Sequence, residues 1–413
     1  MRTALLGAAA LVLSAGAATA QTTCYGGAQW WTPDGFVPGE RCIAEGRFAA
    51  ATPDAARIDL GGVWVIPALG EAHNHNLDNP VMARAMSDTY LSAGILYVKN
   101  PNSRREWTDA ARALVNQPDT VDAIFSLGGV TAPGGHPVRL YGFLSRFYGA
   151  PRDGESFEGD AFHLVTAEGD IAPVLDRLKA DGADFVKLYL LGSEHHHERA
   201  GDPAFYGLRG VDPALAPAFV REAHARDLRV SVHVETAADF RAAVTAGVDE
   251  INHLPGYMWE AGATAETYRL TEADARAAAQ AAVVVVTTTT GVANGFAGTP
   301  DALQAVQALQ VENLRRLHDA GVTIAIGSDN YQATAAAEVQ NLLDISAFTP
   351  PELLRVWIDT PRVSIFPDRM IGRLEEGYEA NFVILSADPL ADMTQPLPVI
   401  AVHKAGEAIW TAD

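Results

Sequence analysis

The 413-residue chain sets 30 Lys and Arg against 51 Asp and Glu, a formal net charge of −21, with 48% hydrophobic and 20% charged residues. Its length fits one large globular domain plus a smaller one. The acidic balance excludes nucleic acid and anionic membrane surfaces as partners, because both recruit basic protein surface.

Residues 1–20 join Arg2 to an apolar Leu/Ala centre and a small-x-small end at Ala18 and Ala20, the pattern of a cleaved signal peptide; a short buried helix is the competing reading. After it, no run approaches the roughly 20 apolar residues that a membrane-spanning helix needs. Cys24 lacks the Leu-x-x-Cys context of lipid attachment, so a free periplasmic or secreted protein is expected. Cys24 and Cys42, the only cysteines, are expected to pair there for about 3 kcal/mol of stability, with two free thiols as the alternative.

Residues 22–62 read as short strands and turns, and so do the last forty residues, with Asn381 to Leu385 and Val399 to His403 as strand-like runs. Two all-β ends around a long middle predict a small β-sandwich domain formed by both chain ends (21–64 and 369–413), flanking a catalytic domain over 65–368. In that middle, apolar runs alternate with helical stretches, the pattern of a parallel sheet or barrel. Eight runs are counted: Val63 to Pro67, Ile95 to Val98, Ala123 to Leu127, Phe185 to Leu190, Val230 to Val234, Glu250 to Leu254, Val283 to Thr290 and Thr323 to Ile326. The fold class expected is therefore α/β, a (β/α)8 TIM barrel. Helices are expected over Asp239 to Ala246 closed by Gly247, Thr271 to Ala282 capped by Thr271, Asp301 to Ala320 closed by Gly321, and Pro350 to Asp359 capped by Thr349. Arg146 to Asp160 and His195 to Asp212 read as long loops.

His73 and His75 lie two apart just beyond the first run, so the strand period of two turns both imidazoles to one face. His233 and His253 end later runs, and Asp329 follows the last one. All five sit at strand C-termini, which converge on one site in a (β/α)8 barrel. Imidazoles plus a carboxylate are donors for Zn²⁺ or a related divalent metal, one or two per chain. Lys187 lies inside an apolar strand, where desolvation favours a neutral amine. Such an amine can take up carbon dioxide to become a carboxylated lysine that bridges two metals; a lysine reaching solvent or pairing with Asp184 is the alternative.

The His-x-His after strand one, Lys on strand four, His on strands five and six and Asp on strand eight together resemble the amidohydrolase superfamily. Ile58-Asp-Leu-Gly-Gly before Val65-Ile-Pro, and the segment from Ile371 to Leu385 with Ala387-Asp-Pro-Leu, resemble the family's passages into and out of the barrel. The likeness spans about residues 22–410 and is nearest to imidazolonepropionase-like and prolidase-like members, with Glu71 and Asn381 departing from the usual Asp. It implies that His73, His75 and Asp329 hold the more buried metal and His233 and His253 the more exposed one, with Lys187 bridging. His136, in a Gly-Gly-His segment like that of prolidase-like relatives, is expected to contact substrate, against an ordinary turn. Tyr189 is expected to offer a hydroxyl to substrate or to pack. His195, His196 and His197 are read as a solvated loop.

The function implied is metal-dependent hydrolysis of carbon–nitrogen bonds in a small amide, cyclic amide or dipeptide. Asp329 would take the proton of metal-activated water and return it to the leaving nitrogen. An esterase, lactonase or phosphotriesterase is the alternative, since the same device attacks several electrophiles. The only partner expected is a small-molecule substrate, with a homo-oligomer left open.

Overall fold

The computed structural model describes residues 21–412 except 148, 261 and 296–298; the expected signal peptide lies outside the described residues. The N-terminal strands are β1 (Thr23–Thr32), β2 (Gly35–Ala44), β3 (Arg47–Ala49), β4 (Ala56–Asp59) and β5 (Trp64–Pro67). The parallel strands that follow are β6 (Leu69–Glu71), β7 (Ile95–Asn100), β8 (Asp122–Phe125), β9 (Gly129–Thr131), β10 (Phe162–Leu164), β11 (Val186–Tyr189), β12 (Val230–His233), β13 (Glu250–Asn252), β14 (Val284–Val286) and β15 (Thr323–Ala325). The chain closes with β16 (Phe382–Leu385), β17 (Val399–Lys404) and β18 (Glu407–Thr411).

Both chain ends share one sheet in the order β18-β17-β16-β5-β1-β2-β3, with β4 beside β1. Cys24 faces Cys42 across the antiparallel β1–β2 pair, and the two form a disulfide, as expected. The sheet curls: Phe48 on edge strand β3 comes within 6.0 Å of Phe382 on β16, four places away, and Phe48 N donates to Tyr378 O at 2.9 Å. Phe382 stacks on His403 at 4.3 Å and 9°, so this fold is held by rings as well as by backbone.

The middle of the chain is α/β, with parallel strands in two sheets, β6-β7-β8 and β10-β9-β11-β12-β13-β14-β15. The strands are almost wholly buried, as parallel strands covered by helices must be. Helix signals are legible at several caps. Thr271 Oγ1 accepts from Asp274 N ahead of the helix Glu272–Gln280, and Gly247, at φ +79, ends Ala237–Ala246. No helix among the described residues is long and apolar enough to cross a membrane.

The first expected strand needs correction. Val63 to Pro67 forms β5 and pairs with β1 and β16 in the end sheet. Leu69–Glu71, one residue further on, is the first parallel strand instead. The run Val283 to Thr290 also divides, its last residues opening the helix Thr289–Gly295. The expected loop from Arg146 begins inside a helix, Val138–Phe147.

Two buried histidines distant from the site give the fold an acid-sensitive step. Burial holds His403 down at about 4, and burial with Arg177 does the same for His163. An unfolded histidine titrates near 6.5, so the unfolded chain binds the extra protons first as pH falls. The stability these two histidines contribute is therefore fully present above pH 6.5 and is lost between 6.5 and 4. His403→Phe, which keeps a ring on Phe382, is expected to flatten that limb by about 1.4 kcal/mol per pH unit, as read by urea unfolding across the window.

Candidate metal centre and substrate cavity

All eight residues singled out in the sequence, His73, His75, His136, Lys187, Tyr189, His233, His253 and Asp329, line one cavity of about 250 Å³. His73 and His75 follow β6, Lys187 and Tyr189 stand on β11, His233 ends β12, His253 follows β13 and Asp329 lies four residues past β15. His136 reaches the cavity from the loop before the helix Val138–Phe147 and stacks on His233 at 5.2 Å and 22°. The run His195 to His197 does not line this cavity.

The backbone is bent to make the site. His253 (φ +73), Thr288 (φ +88) and Asp329 (φ +45) are non-glycine residues in the left-handed region, each just past a parallel strand. Such residues cost about 1–3 kcal/mol apiece and persist only where surroundings dictate them. Those surroundings are visible. Asp329 N donates to His73 O at 2.8 Å, Thr288 N donates to buried Glu338, and His253 Nδ1 lies 2.8 Å from Thr288 Oγ1. Gly327 lets β15 approach, since a Cβ there would meet His73 N and Cβ at 2.8 Å.

The donor spacing fits a divalent transition metal. His73 Nε2 and His75 Nε2 stand 3.6 and 3.5 Å from Asp329 Oδ1. Tetrahedral bonds of about 2.0–2.1 Å place neighbouring donors about 3.3 Å apart. His73, His253 and Asp329 each bring a donor atom within 4.8 Å of the other two. His253 thus stands beside His73 and Asp329 and also beside His233, its ring 4.8 Å from that of His73 and 4.5 Å from that of His233.

Electrostatics disfavour the protonated form of most of these groups. Burial, with Lys187 and neighbouring imidazoles, holds His73, His136 and His253 well below the usual histidine range. Burial and Lys187 push His233 down to about 3. His75 differs: burial lowers it, but Asp78 and Asp329 carry it above its ordinary value. Burial brings Lys187 down to about 7 despite the attraction of Asp329 and Glu250. Its ammonium donates to Asn252 Oδ1.

Four further residues belong to the site and were missed in the sequence. Tyr257 donates to Asp329 Oδ2 at 2.6 Å and stacks on His253 at 4.0 Å. Glu235 Oε1 lies 2.7 Å from His233 Nε2, and Asp78 Oδ2 3.4 Å from His75 Nδ1. Asn252 holds Lys187. Spacing offered a signal for two of them, because Glu235 follows His233 by two and Tyr257 follows His253 by four.

Known proteins resemble this chain in sequence and in fold. The sequence model of the amidohydrolase family matches residues 202–409, half of the chain. Ochratoxinase of Aspergillus niger is 28% identical over 203 residues, 47% of this chain and 41% of that protein, so the match spans about two fifths of the relative's length. The crystal structure of A. niger ochratoxinase superposes with a TM-score of 0.73 at 20% identity, covering 94% of this chain and 96% of that one. A Xaa-Pro dipeptidase with bound methionine gives a TM-score of 0.74 at 16% identity over 95% of this chain and all of the other. A putative prolidase from Bifidobacterium longum gives 0.68 at 18%, covering 95% of each.

Proposed function

The chain belongs to the amidohydrolase family, and from that premise we propose that it is a metal-dependent hydrolase cleaving amide-type carbon–nitrogen bonds in small molecules. The observation that carries the reading is the meeting, in one cavity, of His73, His75, Lys187, His233, His253 and Asp329, drawn from both ends of the parallel strand series. Hydrolytic relatives at low identity support it without specifying a substrate.

The imidazoles with Asp329 would hold one or two divalent cations, Zn²⁺ by donor chemistry, with Lys187 carboxylated where two are held. When bound, such a cation lowers the pKa of water and polarises a carbonyl. The remaining work falls to side chains. Asp329 takes the proton of the attacking water on Oδ1, while Tyr257 occupies Oδ2 and fixes the carboxylate plane. Asp329 then returns that proton to the departing nitrogen. His136, neutral by burial, donates N–H to the substrate carbonyl oxygen, and the Tyr189 hydroxyl donates beside it.

The same reading includes the finer architecture. A closed (β/α)8 barrel is supported by backbone bonds that join the two parallel sheets, Asp184 N to Phe125 O at 2.9 Å and Ala72 N to Ile326 O at 2.8 Å. The curl that brings Phe48 to Phe382 supports a small end sandwich. The domains proposed are 21–64 and 369–413 around 65–368, with the first boundary carried to Pro67 by the pairing of β5. A cleaved signal over residues 1–20 and export complete it.

Metal analysis of the purified protein, joined to a turnover screen over N-acyl amino acids, dipeptides and lactams, tests the proposal. One to two divalent ions per chain and hydrolysis of at least one amide class are expected, with loss on chelation and recovery with Zn²⁺. Turnover that survives exhaustive chelation overturns it.

A further inference from the structure

Beside the metal cavity lies a second, larger space of about 480 Å³. The two share His75, Asp78, Leu144 and Tyr331, so they are compartments of one cleft. Their chemistry differs sharply. The inner one presents imidazoles, Lys187 and Asp329, whereas the outer one is walled mainly by Met82, Met86, Phe143, Leu144, Phe147 and Tyr331, with Asp78 and three amide side chains besides, and no Lys or Arg among the described residues lines it.

The helix Val138–Phe147 explains this wall. It buries Val138, Tyr141 and Ser145 against the protein, yet Phe143 and Phe147 stand 53% and 72% exposed with their rings 5.0 Å apart. An amphipathic surface helix turns polar residues outward; this one presents a second apolar face at the cleft. The helix begins two residues after His136, so the face and an imidazole of the inner cavity ride on one rigid element. The opposite wall contributes Met82, 40% exposed, and methionine adapts its shape to varied apolar partners.

We infer that the outer compartment is a substrate subsite that takes a bulky apolar arm, an aromatic ring system or a long acyl chain, attached to the bond cleaved in the inner compartment. The inference rests on the hydrolase reading and narrows it to uncharged or weakly charged amides carrying such an arm. The inner volume of about 250 Å³ takes the scissile amide with a small side chain or single ring, so a longer or fused substituent has to extend beyond it. The way out passes the ring of Tyr331, which lies 5.9 Å from that of His75 and lines both compartments.

Two matched series test this: N-acyl glycines from acetyl to octanoyl and 2-naphthoyl, and N-acetyl amides from glycinamide to 2-naphthylamide. In at least one series kcat/KM is expected to rise about tenfold or more from the smallest to the largest member. Phe143→Ser with Phe147→Ser is expected to bring that ratio to within about twofold, while Ile400→Ser, on the end sheet, leaves the ratio as it was. Prodan, a neutral naphthalene fluorophore, gives a readout independent of turnover, with binding expected in the wild type and lost in the double variant. Equal prodan binding by both proteins, or a ratio that the double variant does not change, overturns the subsite. A double variant that shifts sedimentation from dimer to monomer and leaves probe binding intact overturns it too, in favour of a face between copies of this chain. If no amide is hydrolysed, the hydrolase reading falls, and prodan alone decides the subsite.

Discussion

Asp329→Asn is expected to lower kcat/KM by about 10²–10⁴ while the fold and the metal content persist. In the proposed mechanism this carboxylate both receives the proton and returns it. Its Oδ1 faces His73 and His75 at 3.6 and 3.5 Å, and its Oδ2 accepts the Tyr257 hydroxyl. Asparagine keeps the shape, and with its oxygen on the Oδ1 side its Nδ2 amide donates to the Tyr257 hydroxyl, but an amide does not shuttle a proton at neutral pH. The backbone bond from residue 329 to His73 O is indifferent to the side chain, so the bend at φ +45 survives. Steady-state kinetics paired with metal analysis read the result. A variant with full metal and full turnover removes Asp329 from the proton path.

Lys99→Met is expected to cost about 3–5 kcal/mol of stability. Lys99 Nζ lies 2.7 Å from Glu250 Oε1, and both side chains are buried almost completely. Burial pulls Lys99 down to about 8, against the attraction of Glu250. Glu250 stays below the ordinary carboxylate range, because Lys99 and Arg229 outweigh its desolvation. Removing the cation strands a buried carboxylate whose other donors, Ser231, Asn252 and Ser364, carry no charge. Replacing both partners, Lys99→Met with Glu250→Leu, is expected to recover most of the loss, as apolar pairs of similar volume do. Urea unfolding of the two single variants and the double variant measures the coupling. Single variants that lose under about 1 kcal/mol would show the pair to be dispensable.

Much of the site was legible because its chemistry is concentrated at strand ends. His73 and His75 stood out by their period of two, Lys187 by a charge inside an apolar run, and His233, His253 and Asp329 by closing such runs. Two things were hidden. Val63 to Pro67 and Leu69 to Glu71 are both short and apolar, and nothing local says which sheet each joins; the pairing of β5 with β1 and with β16, the latter over 300 residues on, decides it. Tyr257 and Asn252 act through partners distant in sequence, Asp329 and Lys187, so their roles appear only once the strands are side by side. The apolar helix Val138–Phe147 escaped because its hydrophobic residues cover two faces and leave no single stripe.

The seam between β5 and β16 bears on how the molecule is made. Ala68, which leads into the first parallel strand, is tied through its N–H to Asn381 O at 3.2 Å. During translation the ribosome exposes β5 long before β16 exists, so the nascent polypeptide waits with a bare strand edge until synthesis is nearly over. Bare edges recruit other strands. A chain cut short before residue 382 keeps every candidate metal donor yet lacks the strand that seals its opening segment, and it is expected to pair its open edge with other chains rather than to act as a shortened enzyme.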